Sequence, residues 1–318
     1  MGGSKPPLVV LTGPTGAGKT EVAVRLASRL PVEVVSADSR QVYRGMDIGT
    51  AKPSREQREA VAHHLIDVVR PDEHYNAARF RVEARQAIAD ILGRGRLAMV
   101  VGGTGLYIRA LLRGLLPAPP ANAAVRRELR EVLRREGPEA LHARLKEVDP
   151  EAAGRIHPRD PVRIIRALEI QRVTGAPLGA PSHWRQSRPD WALLLVGLTR
   201  PRPSLYEALG ERVDRMVERG LQEETQRLLA AGYDPSLPAM QGIGYRQFVK
   251  VIHGELSQAR AIHEMKRDTR QYAKRQWTWF AREPGIRWVD VEAAGGHDGV
   301  VEQVEKWIIQ EKLLPLEG

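Results

Sequence analysis

The 318-residue sequence contains no cysteine, few aromatic residues (5%) and no long hydrophobic run. Without cysteine, the chain cannot form disulfide scaffolds, cysteine-ligated zinc sites, iron–sulfur clusters or thiol nucleophiles. The N-terminal apolar run, Leu8 to Leu11, is far too short for a signal peptide or a membrane span. We therefore expect a cytoplasmic protein with no membrane partner.

The sequence has fewer acidic than basic residues. It contains 39 Asp and Glu and 49 Lys and Arg, which gives a formal charge of +10. Between Arg260 and Arg282 there are seven basic and two acidic residues, so this segment carries half of the excess. Residues 126–172 contain twelve basic and nine acidic residues. Clustered positive charge favours a polyanionic partner, although basic proteins without one are common.

Short apolar runs alternate with helix-like stretches over the first hundred residues. The pattern predicts helices at Lys19–Leu30 and Asn76–Leu92, and strands at Leu8–Leu11, Val32–Ser36, Leu65–Val69 and Leu97–Val101. Strands without polar alternation that are separated by helices indicate a parallel sheet covered on both faces.

The first predicted strand and helix flank a glycine-rich loop, Gly13-Pro-Thr-Gly-Ala-Gly-Lys-Thr20, which matches the P-loop pattern G-x-x-x-x-G-K-[ST]. Backbone N–H groups of the loop and of the helix N-terminus would hold an anion. Lys19 would add a positive charge, and the Thr20 hydroxyl would reach a Mg²⁺ ion. The pattern is strong evidence for phosphate binding, but it does not specify ATP.

The second half of the chain changes character twice. Residues 122–175 predict several Arg- and Glu-rich helices without a strand, whereas a strand follows at Trp191–Leu198. Helices at about 203–231 and 243–282, a strand at Arg287–Val291 and a terminal helix complete the chain. We predict an α/β fold with a P-loop NTPase-like parallel sheet core, residues 1–117 plus 191–318, and an all-helical insertion domain, residues 118–190.

Two polar residues follow other predicted strands of the core. Asp38 comes after the second strand, and Thr104 lies in the Gly-Gly-Thr-Gly run after Leu97–Val101. Because parallel strands end at one edge of a sheet, we expect both residues to face the phosphate loop. An anion site, a carboxylate and a hydroxyl suit a small-molecule kinase as well as other transferases.

The stretch Asp38-Ser-Arg-Gln-Val-Tyr-Arg-Gly-Met-Asp-Ile-Gly-Thr-Ala-Lys-Pro53 resembles the tRNA dimethylallyltransferases, also called tRNA isopentenyltransferases. Further stretches similar to that family follow in order, and together they span roughly residues 8 to 290. They are His63–Asp67, Val101–Tyr107, His157–Glu169, Met240–Gln247 and Thr269–Trp277. The chain lacks the cysteine/histidine zinc module of some eukaryotic relatives, which favours the bacterial type.

The resemblance implies that a dimethylallyl group passes from dimethylallyl diphosphate to N6 of the adenosine beside a tRNA anticodon (position 37). Asp38 would be the general base, and Thr104 would orient the reacting groups. Mg²⁺, Lys19, Thr20 and Arg212 would neutralise the leaving diphosphate, which the loop residues Gly13, Pro14, Thr15, Gly16, Ala17 and Gly18 would cradle.

The resemblance also implies a set of tRNA-binding residues. Besides Asp38 and Thr104 it comprises Ser39, Arg40, Gln41, Arg126, Arg163, Arg166, Gln241, Gly244, Tyr245, Arg246, Gln247, Arg270 and Lys274. On a helix, His263, Arg267, Arg270, Lys274 and Trp277 would form one stripe, suited to phosphates and unpaired bases.

Two alternatives share the phosphate loop. A free-nucleotide (AMP) isopentenyltransferase would use the same aspartate chemistry, but it would have little use for the insertion or the basic C-terminal helices. A P-loop kinase or nucleic-acid-binding ATPase would consume ATP. Nothing in the sequence suggests an obligate dimer, and we expect a monomer.

Overall fold

The computed structural model describes residues 5–115, 118–178 and 190–314. The chain divides into two compact units, one formed by Met1–Leu112 with Pro189–Gly318 and the other by Arg113–Arg188. The division at residues 117/118 and 190/191 inferred from the sequence lies within a few residues of these bounds. The part of the expected insertion at residues 179–189 lies outside the described residues.

A six-stranded sheet forms the centre of the larger unit, with the order β3-β2-β4-β1-β5-β6 and parallel pairing throughout. The strands are β1 (Pro7–Thr12), β2 (Val32–Ser36), β3 (His63–His64), β4 (Leu97–Val101), β5 (Ala192–Thr199) and β6 (Arg287–Asp290). Every residue of β2 and β4 is buried. The predicted parallel sheet, covered on both faces, is confirmed.

The strand predicted at Leu65–Val69 is wrong. The third strand is only His63–His64, and Leu65 and Asp67 have φ angles of 62° and 58°. Positive φ angles are incompatible with an extended strand. The carboxylate of Asp67 forms ion pairs with the buried ammonium of Lys52 and, at 2.9 Å, with Arg58, so it anchors a turn instead.

The helices predicted for the larger unit are confirmed in outline, and two further helices, Arg55–Ala60 and Gly105–Arg113, were not predicted. The segments predicted at 203–231 and 243–282 each divide into two helices, the first at Gly220, whose φ of 91° ends the helical run. The helices are α1 (Lys19–Ala27), α2 (Arg55–Ala60), α3 (Ala77–Gly93), α4 (Gly105–Arg113), α8 (Arg202–Glu218), α9 (Leu221–Ala230), α10 (Tyr245–Ile252), α11 (Gln258–Phe280) and α12 (His297–Gln310).

Apolar side chains of α1 and α12 pack on the sheet in one buried cluster. The cluster contains Val22 and Leu26 of α1, Val304 and Ile308 of α12, and strand residues such as Met99. A second cluster joins α8, α9, α10 and α11 to residues 42–46. The helices thereby fix the loop that follows β2 beside the sheet edge.

The smaller unit consists of α5 (Ala123–Val148), α6 (Pro150–Arg155) and α7 (Pro161–Thr174). Helix α5 is kinked at Gly137, where φ is 82°, and Pro138 follows it. The smaller unit has a core that contains Leu129, Leu141, Ile164 and Leu168. Its described residues contain no strand, as the sequence predicted.

Candidate active site

Of the residues predicted to meet at the carboxyl edge of the sheet, the phosphate loop and Asp38 line a common cavity, whereas Thr104 does not. Loop 13–20 follows β1, Asp38 follows β2, and Gly103 follows β4. All three line one cavity of about 530 Å³, together with Arg212 of α8. The topology explains this arrangement, since the ends of neighbouring parallel strands share one crevice.

The phosphate loop has the backbone conformation that an anion cradle requires. Gly13, Gly16 and Gly18 have positive φ angles (130°, 83° and 86°), which only glycine adopts without strain. The ammonium of Lys19 donates hydrogen bonds to the carbonyl oxygens of Gly13 and Pro14, at 3.0 and 2.8 Å. Lys19 is thereby held inside the loop, and the side chain of Thr20 lines the same cavity.

The charges in this cavity shift one another. Burial and the nearby guanidinium of Arg212 lower the pKa of Lys19 to about 8, and the carboxylate of Asp38 opposes this shift. Burial also lowers the pKa of Arg212, again opposed by Asp38. Asp38 is thus the negative charge that the two cations share, and both cations would be stabilised further by a bound anion.

Asp38 is held by the backbone that follows it. Its Oδ1 accepts hydrogen bonds from the N–H groups of Arg40, at 2.8 Å, and Gln41, at 3.4 Å. Within the described parts of the chain, Oδ2 receives no hydrogen bond from another residue. One oxygen therefore orients the carboxylate, and the other is available for a substrate N–H.

A second cavity, of about 280 Å³, lies on the other side of Asp38. The two cavities share a wall formed by Thr15, Asp38, Arg212 and Tyr272. The remainder of the second cavity is lined by Arg40, Gly49, Thr50, Val213, Met216, Gln241, Gly242, Ile243, Tyr245, Arg246, Met265, Thr269 and Arg275. A group bound in either cavity would therefore meet the same carboxylate.

Thr104 lies behind this wall, not in the lining of either cavity. Its hydroxyl accepts a hydrogen bond from the N–H of Ser39, at 3.0 Å, and it is also hydrogen-bonded to the hydroxyl of Tyr272. Burial and the Asp38 carboxylate raise the pKa of Tyr272 to about 12, so its hydroxyl stays protonated. In this structure Thr104 supports Ser39 and Tyr272.

Gln276 joins two of the loops at the sheet edge. Its Oε1 accepts the N–H of Thr15, at 2.8 Å, and its Nε2 donates to the carbonyl of Gly103, at 2.9 Å. A Cβ at position 103 would lie 2.1 Å from Nε2, so a side chain there would displace the amide of Gln276. The buried amide holds the phosphate loop and the turn containing Thr104 at a fixed separation.

A buried carboxylate shapes the second cavity. Glu224 accepts hydrogen bonds from the N–H groups of residues 47, 48 and 49 and, at 2.6 Å, from the hydroxyl of Tyr245. The loop then continues to Ala51, whose carbonyl accepts from the side chain of Gln41 at 3.2 Å. A chain of contacts thus runs from Glu224 to the backbone that orients Asp38.

Two of the predicted tRNA contacts in the 240–247 stretch have buried side chains. Gln247 is only 3% exposed, and its amide binds the N–H of Gly244 and the carboxylate of Asp268. Tyr245 is 1% exposed and uses its hydroxyl on Glu224. We therefore assign Gln247 a structural role, whereas the ring of Tyr245 forms part of the cavity wall.

In the smaller unit, two of the predicted tRNA-binding arginines have an internal partner. The fully buried carboxylate of Glu169 is bound by Arg126, at 2.9 Å, and by Arg166, at 2.6 Å. These contacts give both arginines a structural role. Arg163 is different, since 65% of its side chain is exposed and, within the described ranges, its ion-pair partner is Asp160 at 3.4 Å.

The predicted stripe on α11 is confirmed as an exposed face. His263, Arg267, Arg270, Lys274 and Trp277 are all exposed. The stripe borders a cavity of about 320 Å³, lined also by Lys266, Tyr206 and Gln271. The adjacent row on α11 is buried or half-buried and packs against the rest of the unit; it consists of Ile262, Met265, Thr269, Tyr272, Gln276 and Trp279.

Among the described residues there is no group of three or more His, Asp or Glu that could hold a metal ion. Mg²⁺ bound with phosphates commonly takes only one or two protein ligands and keeps several waters. The Thr20 hydroxyl beside an anion cradle fits that donor set.

Sequence reasoning missed several residues of the site. Gln276, Arg200 and His297 all line the first cavity. Arg200 follows β5 directly, so the strand-end rule that indicated Asp38 would have found it. His297 begins the terminal helix, and no local signal connects it with the site.

Three comparisons relate the chain to known proteins. The family model "IPP transferase" matches residues 41–283, and the model "Isopentenyl transferase" matches residues 6–70. A tRNA dimethylallyltransferase of Thermomicrobium roseum is 50% identical over 307 residues, covering 96% of this chain and 92% of the relative.

Solved structures agree. The full-length tRNA isopentenylpyrophosphate transferase of Bacillus halodurans is 40% identical, with a TM-score of 0.70, and the match covers 96% of this chain and 97% of that one. A eukaryotic dimethylallyltransferase, captured acting on tRNA, is 31% identical with a TM-score of 0.74, over 90% of this chain and 74% of that one. In the described ranges, no helix has the length and apolarity to cross a membrane.

Proposed function

The chain belongs to the IPP transferase family, and on this premise we propose that it transfers the dimethylallyl group of dimethylallyl diphosphate to N6 of adenosine 37 of tRNA. Diphosphate is released. The observation that carries the proposal is the common wall of two cavities, which contains Asp38, Thr15, Arg212 and Tyr272. One cavity suits a diphosphate and the other suits the acceptor base.

The donor binds in the first cavity with its diphosphate on the phosphate loop. Lys19 and Arg212 neutralise the charge that develops on the leaving oxygens, and Gln276 keeps the loop in place. Thr20 would hold Mg²⁺, which supplies further positive charge to the diphosphate when it is bound.

The acceptor adenine enters the second cavity after it leaves the anticodon stack. Oδ2 of Asp38 accepts a hydrogen bond from the exocyclic amine and takes its proton as N6 attacks C1 of the dimethylallyl group. The C–O bond to diphosphate breaks, and the leaving group keeps the electron pair. The pKa of about 8 at Lys19 keeps its ammonium mostly protonated at pH 7, as the neutralisation of the leaving diphosphate requires.

The tRNA backbone lies on the exposed basic stripe of α11, where Arg270 and Lys274 have no carboxylate partner among the described residues. Cationic side chains at an exposed helix face suit phosphates.

We further propose that the protein acts as a monomer in the cytoplasm, since its substrate tRNA is found there.

A transfer assay tests the proposal. Protein and Mg²⁺ are incubated with labelled dimethylallyl diphosphate and either unmodified tRNA or adenosine monophosphate. Label in tRNA alone is the expected result. Label only in the mononucleotide, or ATP consumption without prenyl transfer, would overturn it in favour of one of the alternative activities.

A further inference from the structure

Arg200 is a cation in the first cavity whose charge is not balanced by the protein. It lies at the carboxyl end of β5, directly beyond the last strand residue, Thr199. Its Nη2 contacts Nε2 of His297 at 3.3 Å, and among the described residues it has no ion pair with a carboxylate. Its Nε is buried and has no hydrogen-bond partner in the part of the chain that the structure describes.

A guanidinium with a buried, unpaired N–H is unfavourable unless a ligand binds it. Other charged groups around the cavity are paired internally, since Glu21 binds Arg25 at 2.7 Å and Glu211 binds Arg215 at 3.2 Å. Among the described lining residues, Lys19, Arg200 and Arg212 then remain, and Asp38 is the lining carboxylate without an ion pair. This excess of positive charge suits a multiply charged anion.

His297 fixes the position of Arg200 relative to the phosphate loop. A Cβ added at position 18 would lie only 2.1 Å from Nε2 of His297, so the imidazole packs directly on Gly18. To accept from Arg200, Nε2 must be unprotonated. Burial and the Arg200 charge both lower the pKa of His297, which favours that form.

We propose that Arg200 is a third cation of the diphosphate site and binds the diphosphate of the donor through its guanidinium. The role rests on the proposed function, and it adds a substrate contact to Lys19 and Arg212. The guanidinium can donate two parallel hydrogen bonds to phosphate oxygens, which an ammonium cannot. Diphosphate would supply the partner that the Nε of Arg200 lacks.

The test measures the binding of inorganic pyrophosphate to the full-length protein by calorimetry, with Mg²⁺ and without tRNA. Arg200→Met should weaken binding by about 10- to 100-fold, the usual effect of losing a hydrogen bond to a charged group. The matched control is Arg202→Met, which removes an exposed arginine two residues further along, at the start of α8. It should change the dissociation constant by less than about twofold.

Two further variants separate binding from support. If Arg200 only anchors His297, then His297→Asn will weaken pyrophosphate binding as much as Arg200→Met does, and the proposal is wrong. Arg200→Lys keeps the positive charge but cannot donate two parallel hydrogen bonds, so it should bind pyrophosphate with an intermediate affinity. If Arg200→Met does not fold, the affinity of Arg200→Lys decides the test. Affinity equal to wild type in Arg200→Met, or in Arg200→Lys where only that variant folds, also overturns the proposal.

The result is independent of the proposed transferase reaction. A wild-type protein that binds pyrophosphate but does not prenylate tRNA would contradict the proposed function and leave the role of Arg200 to be judged by binding. A wild-type protein that prenylates tRNA, with an Arg200→Met variant that binds pyrophosphate normally, would refute the inference on Arg200 alone.

Discussion

Replacing Asp38 with asparagine removes the charge of the proposed base but keeps its shape. The side-chain oxygen of asparagine still accepts from the N–H groups of Arg40 and Gln41, which orient Asp38 at 2.8 and 3.4 Å. The turn after β2 should therefore persist. The variant then differs from wild type in two respects, the loss of a proton acceptor and the loss of one negative charge.

These two losses have opposite effects on catalysis and on anion binding. A positioned general base contributes about 10²- to 10⁴-fold to a rate, so kcat for tRNA should fall by about that factor. Asp38 also provides the negative charge facing Lys19 and Arg212. Its removal leaves the cavity more positive, and the affinity for pyrophosphate should rise by about two- to tenfold.

The assay combines single-turnover transfer to tRNA with pyrophosphate calorimetry at pH 6.5, below the pKa of about 8 at Lys19. A misfolded variant would lose both properties, whereas in a folded Asp38→Asn variant the transfer rate should fall and the pyrophosphate affinity should rise. A kcat within tenfold of wild type would remove Asp38 from the base role. Weaker pyrophosphate binding would refute the electrostatic description of the cavity.

Three other changes test the remaining parts of the site. Pyrophosphate binding stabilises the protonated form of Lys19, so its affinity should fall above pH 8, by up to about tenfold per pH unit; the same slope in Lys19→Met would contradict this. Gln276→Met leaves the N–H of Thr15 and a carbonyl unpaired and should lower the free energy of unfolding by about 1–3 kcal/mol in urea titrations, with no change as the contrary result. Lys274→Ala should weaken tRNA binding and reduce its salt dependence, whereas Lys306→Ala, an exposed control on α12, should not; an unchanged salt slope would exclude a backbone contact.

The sheet edge could be predicted because its signals are local. An apolar strand followed by Gly13–Thr20 specifies both the turn and the helix after it, and the ends of parallel strands necessarily meet. The same two facts placed Asp38 in the cavity. The row of His263, Arg267, Arg270 and Lys274 was also predictable, because helical spacing alone sets which side chains share a face.

The error at residues 65–69 has a long-range cause. The run from Leu65 to Val69 is apolar enough for a strand, but Asp67 within it pairs with Lys52 and Arg58, which precede it by several residues. Those ion pairs are compatible with the positive φ angles of Leu65 and Asp67, and a strand is not. Local propensity does not contain such partners.

Buried polar residues were missed for a related reason. Gln276 lies on the buried face of α11, and periodicity cannot show that its amide reaches two loops from other parts of the chain. Glu224 lies on α9 and binds the N–H groups of a loop more than 170 residues away. A sequence pattern reports which face is buried, and the partners on that face depend on the whole fold.

Helix α11 carries the proposed tRNA-binding side chains on one face and the side chains that contact the phosphate loop on the opposite face. Lys274 is exposed and Gln276 is buried against the phosphate loop, and two residues correspond to about 200° around a helix. Tyr272, about one turn before Gln276, lines both cavities. Because the outward and inward side chains are on opposite faces of one rigid element, removing a charge from the stripe should not disturb the loops that Gln276 joins. The loss of tRNA affinity caused by Lys274→Ala and the loss of unfolding free energy caused by Gln276→Met should therefore both appear unchanged in the double variant.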